Sequence, residues 1–136
     1  MNKLIVSTLL TSSLLFSATI NIEVSHIKNQ KGSLVIGLYN IEKTFPIKTE
    51  EYKGATVEIN STVATYQFQN IPDGSYAIAL FHDENSNEIL DKNFLGIPKE
   101  GYGFSNNAKA LFSAPSFDEA KFELNNSIDI KIEMDY

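Results

Sequence analysis

Between Phe81 and Asn107 the chain reads FHDENSNEILDKNFLGIPKEGYGFSNN, and oxygen-bearing side chains fall at alternate positions in its first half. A hard cation such as Ca2+ needs oxygen donors spaced in this way. With Asp83 at the first position of a twelve-residue calcium loop, Asn85 takes the third, Asn87 the fifth and Asp91 the ninth. Ile89 takes the seventh, where a backbone carbonyl serves, and Leu90 follows as a hydrophobic anchor. Two positions depart from the pattern. Glu88 stands sixth, where glycine makes the sharp turn, and Phe94 stands twelfth, where a bidentate glutamate would close the shell. Asp73, Glu84, Glu88 and Glu100 are the carboxylates that could add a donor from outside. Two readings of the segment follow. One is a weak Ca2+ loop held by Asp83, Asn85, Asn87, Ile89 and Asp91. The other is an Asx-rich turn closed by side-chain to backbone hydrogen bonds.

Other residues offer less chemistry. His82 adjoins Asp83, but neighbours on a strand point to opposite faces, so adjacency alone makes no acid–base dyad. The serines lack a nucleophile-elbow context. Gly101-Tyr102-Gly103-Phe104 lacks the lysine and helix of a phosphate loop and reads as a tight turn with docked aromatics. Ser105-Asn106-Asn107 either offers hydrogen bonds to a ligand or closes the loop. His82, Tyr102, Phe104 and Asn106 are therefore the candidate ligand-binding residues, and no catalytic set emerges.

Composition narrows the classes further. The chain has 136 residues, which fits one domain, with 17 acidic against 11 basic side chains. The lysines are scattered, which excludes the clustered basic face that nucleic acid needs. The absence of cysteine removes disulfides, thiolate metal sites and cysteine nucleophiles. Lys3, the apolar and hydroxyl run Leu4 to Phe16, and Ser17-Ala18 follow the grammar of a secretory signal peptide over residues 1–18. The run is too short to span a bilayer. Residues 19–136 would then form an exported domain, periplasmic or secreted, with no membrane span after signal cleavage.

The elements that must position these residues read as strands. Ile20, Ile22 and Val24 alternate with polar residues, and Ser33 to Asn40 (SLVIGLYN) is apolar on both faces, as a central strand would be. Ala55 to Asn60 and Thr62 to Gln69 suggest a hairpin turning at Asn60-Ser61. Ile71-Pro72-Asp73-Gly74 is a turn, and Ser75 to His82 is another buried strand. Lys121 to Leu124 and Ile128 to Met134 suggest a final pair around Asn125-Asn126-Ser127. About seven short strands with turns between them predict an all-β, antiparallel sandwich. Ser116 and Glu119 fit a capping box for one short helical turn. Two connections are long, Ile41 to Gly54 and Asp83 to Ala120. The second holds Phe94, Leu95, Ile97, Tyr102, Phe104, Leu111 and Phe112, so the expectation is an ordered excursion whose aromatics pack back onto the sandwich.

The blocks NIPDGSYAIALFHDEN, LDKNFLGIPKEGYGFSNNA and PSFDEAKF, in that order, resemble an uncharacterised bacterial exported family, domain of unknown function 2141, from about Gly32 onward. That family's loop reads H-D-E-N-x-N-G-x-L-D. His82, Asp83, Glu84, Asn85, Asn87, Leu90 and Asp91 match it, and Glu88 replaces the glycine. The resemblance implies a secreted or periplasmic β-sandwich. The turn at Pro72, Gly74 and Tyr76 is also similar to transthyretin-like and carboxypeptidase-regulatory-like domains, which are accessory or binding modules. The leading expectation is an exported binding or accessory module with a structural calcium loop at 83–91 and an envelope protein, peptide or glycan as partner. The alternatives are a metal-assisted hydrolase using His82 and Asp83, and a purely structural envelope protein.

Overall fold

The structure, a computed structural model, describes residues 17–109 and 111–136. The signal-peptide segment lies outside these residues except for Ser17 and Ala18, which begin the first strand. The described residues form eight strands: β1 Ser17–Ser25, β2 Ser33–Tyr39, β3 Lys53–Glu58, β4 Ala64–Pro72, β5 Gly74–Asp83, β6 Tyr102–Phe104, β7 Phe122–Leu124 and β8 Ile128–Glu133. A single short helix, α1 Phe117–Ala120, carries the expected capping box, in which Ser116 Oγ accepts the Glu119 N–H and the Glu119 carboxylate accepts the Ser116 N–H.

The strands make two sheets, ordered β4-β1-β8 and β3-β2-β5-β6, with β7 pairing the start of β5. Pairing is antiparallel except between β1 and β8, which run parallel from Ile20 opposite Ile128 to Ser25 opposite Glu133. The all-β expectation holds, and the strand boundaries fall close to those read from alternation. The expected pairings do not hold. β3 and β4 lie in different sheets, and so do β7 and β8. Asn60-Ser61 and Asn125-Asn126-Ser127 are therefore crossings between sheets, not hairpin turns. Period-two alternation fixes which face of a strand is buried and says nothing of its neighbour.

The core lies between the sheets. Ile20, Ile22 and Val24 of β1 and Ile130 and Ile132 of β8 face Leu34, Ile36 and Leu38 of β2 and Ile78 and Leu80 of β5. Burying each such Ile or Leu stabilises the fold by about 1.5–3 kcal/mol. The second sheet is also covered on its outer side. Tyr39, Phe104 and Phe117 pack there edge to face around Phe45, with ring centroids 5.2 Å, 6.2 Å and 5.9 Å from it. This is why β2 and β5 read as apolar on both faces. Ser105, fully buried, accepts the Ile78 N–H at 2.9 Å and donates to the Ala120 carbonyl, which ties α1 to β5.

The long excursion packs differently from the expectation. Tyr102 and Phe104 lie in β6, a strand, where a turn was expected. Phe94, Leu95, Ile97, Leu111 and Phe112 are exposed, Phe94 at 95%. Asn93 Oδ1 accepts the N–H groups of Leu95 and Ile97 and holds the first three of these side chains outward on a tight turn. Local hydrogen bonding at that tip replaces docking onto the sandwich.

The far end of β5 is closed from two directions. His82 faces the interior, fully buried; its Nε2 bonds the Lys31 carbonyl at 2.6 Å and its Nδ1 bonds the Tyr136 hydroxyl at 2.7 Å. A carbonyl only accepts, so Nε2 is the donor; in the neutral ring Nδ1 then accepts from the Tyr136 hydroxyl, whose oxygen accepts the Lys28 N–H at 3.0 Å. Gly32 has φ +62°, and a Cβ there would run into the Asp83 carbonyl, so the turn between β1 and β2 closes on β5 only with glycine. Tyr136→Phe strands a buried ring nitrogen and one backbone N–H. We expect a loss of about 1–3 kcal/mol, read as a lower urea midpoint at unchanged m-value.

Candidate functional site

The 83–91 segment begins where β5 ends. Asp83, 1% exposed, cannot reach solvent, so its carboxylate must find donors nearby. It finds them in the loop it opens: Oδ1 accepts the Asn87 N–H at 3.1 Å and Oδ2 accepts the Glu88 N–H at 2.8 Å. These two bonds fold the chain back within one turn. Asn87 Oδ1 then accepts the Ile89 N–H at 3.0 Å. The side-chain amides of Asn85 and Asn87 converge on Asp91, at 2.7 Å and 3.0 Å. The structure thus brings Asp83, Asn85, Asn87 and Asp91 around one loop, with the Ile89 backbone between them and its side chain exposed.

Among the outside carboxylates, Glu100 reaches the loop. It is 5% exposed, and its two oxygens accept the Glu84 N–H at 2.6 Å and the Asp91 N–H at 3.1 Å. Its carboxyl also meets that of Asp91, so the two compete for one proton. Burial, then the contact with Asp91, pushes Glu100 above the usual carboxylate range. Hydrogen bonding from Glu100 first, then from Asn87 and Asn85, holds Asp91 below it. Glu84 is turned toward the Asn29 amide, and the Glu88 side chain is exposed. Asp73 lies before β5, at the opposite end of a strand about 30 Å long, and cannot contribute. Among the described residues no three His, Asp or Glu side chains converge as a ready-made metal cluster. Any cation here would depend on amide and backbone oxygens as well.

Two loop residues are left-handed, Ser86 at φ +56° and Glu88 at φ +62°, and Glu88 stands in the place where a calcium loop has glycine. The Lys48 side chain braces the bend by donating to the Glu88 carbonyl at 2.6 Å. This links the 83–91 loop to the other long connection, and sequence reading gave no signal of it.

The four residues singled out for ligand contact separate into two pairs. Tyr102 and Phe104 line a groove of about 430 Å3 on the outer face of the second sheet. The groove is walled by Ile89 and Leu90 of the loop, by Pro46 and Lys48, and by Tyr39 and Phe81 of the strands. His82 and Asn106 are committed elsewhere. Both His82 nitrogens are engaged on the interior side of β5, and the Asn106 amide donates to the Glu119 and Lys121 carbonyls at 3.2 Å and 2.8 Å. His82 therefore has no ring nitrogen facing the groove, and Asn106 closes the chain around α1. The missed groove residue is Glu51, which no motif marks. The bend itself gives a direct test. Glu88→Gly removes a left-handed conformation that costs about 1–2 kcal/mol in an L-residue, partly offset by glycine's freedom in the unfolded chain. We expect a net gain of about 0.5–1 kcal/mol in urea unfolding.

No helix among the described residues is long and apolar enough to cross a membrane. No curated protein and no solved structure matches the chain. One family pattern does, described as uncharacterized protein conserved in bacteria (DUF2141), over residues 22–131. It runs from the middle of β1 nearly to the end of β8 and takes in the loop, Glu100 and the groove, starting earlier than the sequence blocks alone suggest. The chain belongs to this bacterial family of uncharacterised proteins.

Proposed function

We propose that the protein is an exported binding or accessory module of the bacterial envelope, with a calcium ion holding the 83–91 loop against the outer sheet. The observation that carries this reading is the closure of the loop on Asp83. The carboxylate draws in the N–H groups at the fifth and sixth positions of the calcium-loop spacing, and the sixth has the left-handed bend that spacing requires. Each Asp83 oxygen accepts one N–H and keeps a second lone pair. Beside it, Asp91 and Glu100 are two carboxyls in contact, an arrangement that a divalent cation relieves better than a shared proton. A half-turn of the Asn85 and Asn87 amides exchanges their nitrogens for oxygens and completes a hard-donor set.

The metal's part in this reading is structural. By fixing the loop it fixes Ile89 and Leu90, and with them one wall of the groove that Tyr102 and Phe104 floor. The groove is of a size to hold a small ligand or a side chain of a larger partner, such as an envelope protein, peptide or glycan. Export is supported by the n-region and apolar run of residues 1–18, and an exported loop would meet calcium at extracellular levels.

Thermal unfolding of the purified protein tests the metal role. Millimolar calcium should raise the midpoint by several degrees relative to chelator, because a ligand of the native state stabilises it by mass action. Asp91→Ala should abolish this increment. An equal midpoint in calcium and in chelator would leave the loop as an Asx-rich turn and end the metal reading.

A further inference from the structure

The groove carries a polar group that the fold does not satisfy. Glu51 lies in its wall beside Tyr39, and among the described residues its Oε2 is buried without a hydrogen-bond partner. A buried carboxylate oxygen lacking a donor is costly, and native structures rarely keep one without a use. Lys48, in the same wall, does not serve it, because its ammonium is turned to the Glu88 carbonyl at 2.6 Å. The Glu51 charge also acts on Tyr39. Burial first, then Glu51, raises the phenol above its ordinary value, so Tyr39 keeps its proton and brings no second charge to the wall. The rest of the lining is mostly apolar or aromatic, from Phe81, Leu90, Tyr102 and Phe104, with Glu88 and Lys92 as its other charged residues. A mostly apolar cleft beside an unsatisfied carboxylate oxygen has a defined complement, a hydrogen-bond donor.

We propose that the groove binds a small organic cation, an ammonium or similar N–H donor on an apolar body, with the head directed at Glu51 and the body between Leu90 and the Tyr102–Phe104 floor. This rests on reading the groove as the binding surface and adds the class of ligand. Aromatic faces suit the same cation, since Tyr102 and Phe104 offer negative π-surfaces beside it. The unsatisfied oxygen selects the class. A carboxylate or a hydrocarbon brings no donor and would leave Oε2 unsatisfied, even with Lys48 and Lys92 in the lining. The volume of about 430 Å3 limits the body to the scale of one or two rings, near the lower end of small-molecule sites.

Three probes of one shape separate the outcomes: 2-phenylethylamine, 2-phenylethanol and 3-phenylpropionate, titrated calorimetrically into the purified protein in calcium. The amine should bind at least tenfold more tightly than the carboxylate. Glu51→Gln should erase that preference and leave the alcohol's affinity unchanged. Equal affinities, or a preference that survives Glu51→Gln, would overturn the ligand class and leave the groove standing as a binding surface. No binding by any probe would overturn both. Should Glu51→Gln fail to fold, amide chemical-shift changes in the unmodified protein decide. Shifts from the amine at Glu51, Leu90 and Tyr102 uphold the proposal, and shifts confined to other surfaces refute it.

Discussion

A carboxylate buried at the end of a strand has to be satisfied by its own surroundings, and at Asp83 this one requirement organises that end of the molecule. The two backbone N–H groups that satisfy it belong to Asn87 and Glu88, so the chain must reverse immediately after β5. The reversal sets the left-handed bend at Glu88, brings the Asn85 and Asn87 amides onto Asp91, and lays Ile89 and Leu90 along the outer face of the sheet. Glu100 then returns from the far side of the excursion to accept the N–H groups of Glu84 and Asp91, and closes it. A neutral, apolar residue at 83 would leave the polar residues of the loop with no centre to fold around.

The same strand end is fixed from the interior by a different set of groups. Alternation along β5 sends His82 inward and Asp83 outward, so the two neighbours serve opposite faces. His82 holds the turn between β1 and β2 and the C-terminal Tyr136, while Asp83 holds the excursion. Gly101, packed under the Tyr136 ring, lets the C-terminus lie against the base of β6. The consequence for function is rigidity at the base of the loop. The elements that meet there are anchored on a sheet buried on both sides, so a ligand or ion at the loop acts on a firm platform.

Much of this was legible in the sequence, and the reasons it was or was not are physical. Alternation at Ile20, Ile22 and Val24 marked β1, and two-faced apolarity marked β2 and β5, because burial acts on single residues. Ser116 and Glu119 marked α1 because a capping box is local. Pairing was not legible: the Asn60-Ser61 and Asn125–Ser127 turns cross between sheets, and nothing local distinguishes a crossing from a hairpin. The parallel β1–β8 pair joins segments more than one hundred residues apart and has no local signature either. At the site, the donor spacing marked Asp83, Asn85, Asn87 and Asp91, and Glu100 was named among the outside carboxylates. The Lys48 brace and the unsatisfied Glu51 depend on tertiary approach and were invisible. The exposed Phe94, Leu95 and Ile97 were misread because apolar density was taken to mean docking, whereas Asn93 fixes their turn by local bonds.

The central claim is that the loop closed on Asp83 is a cation site as well as a turn. Amide NMR during a calcium titration tests it most directly. The account predicts saturable shifts at Asn85 to Asp91 and at Glu100 by millimolar calcium, absent with magnesium, which demands a tighter octahedral shell than this loop offers. Unmoved amides across that range would contradict it.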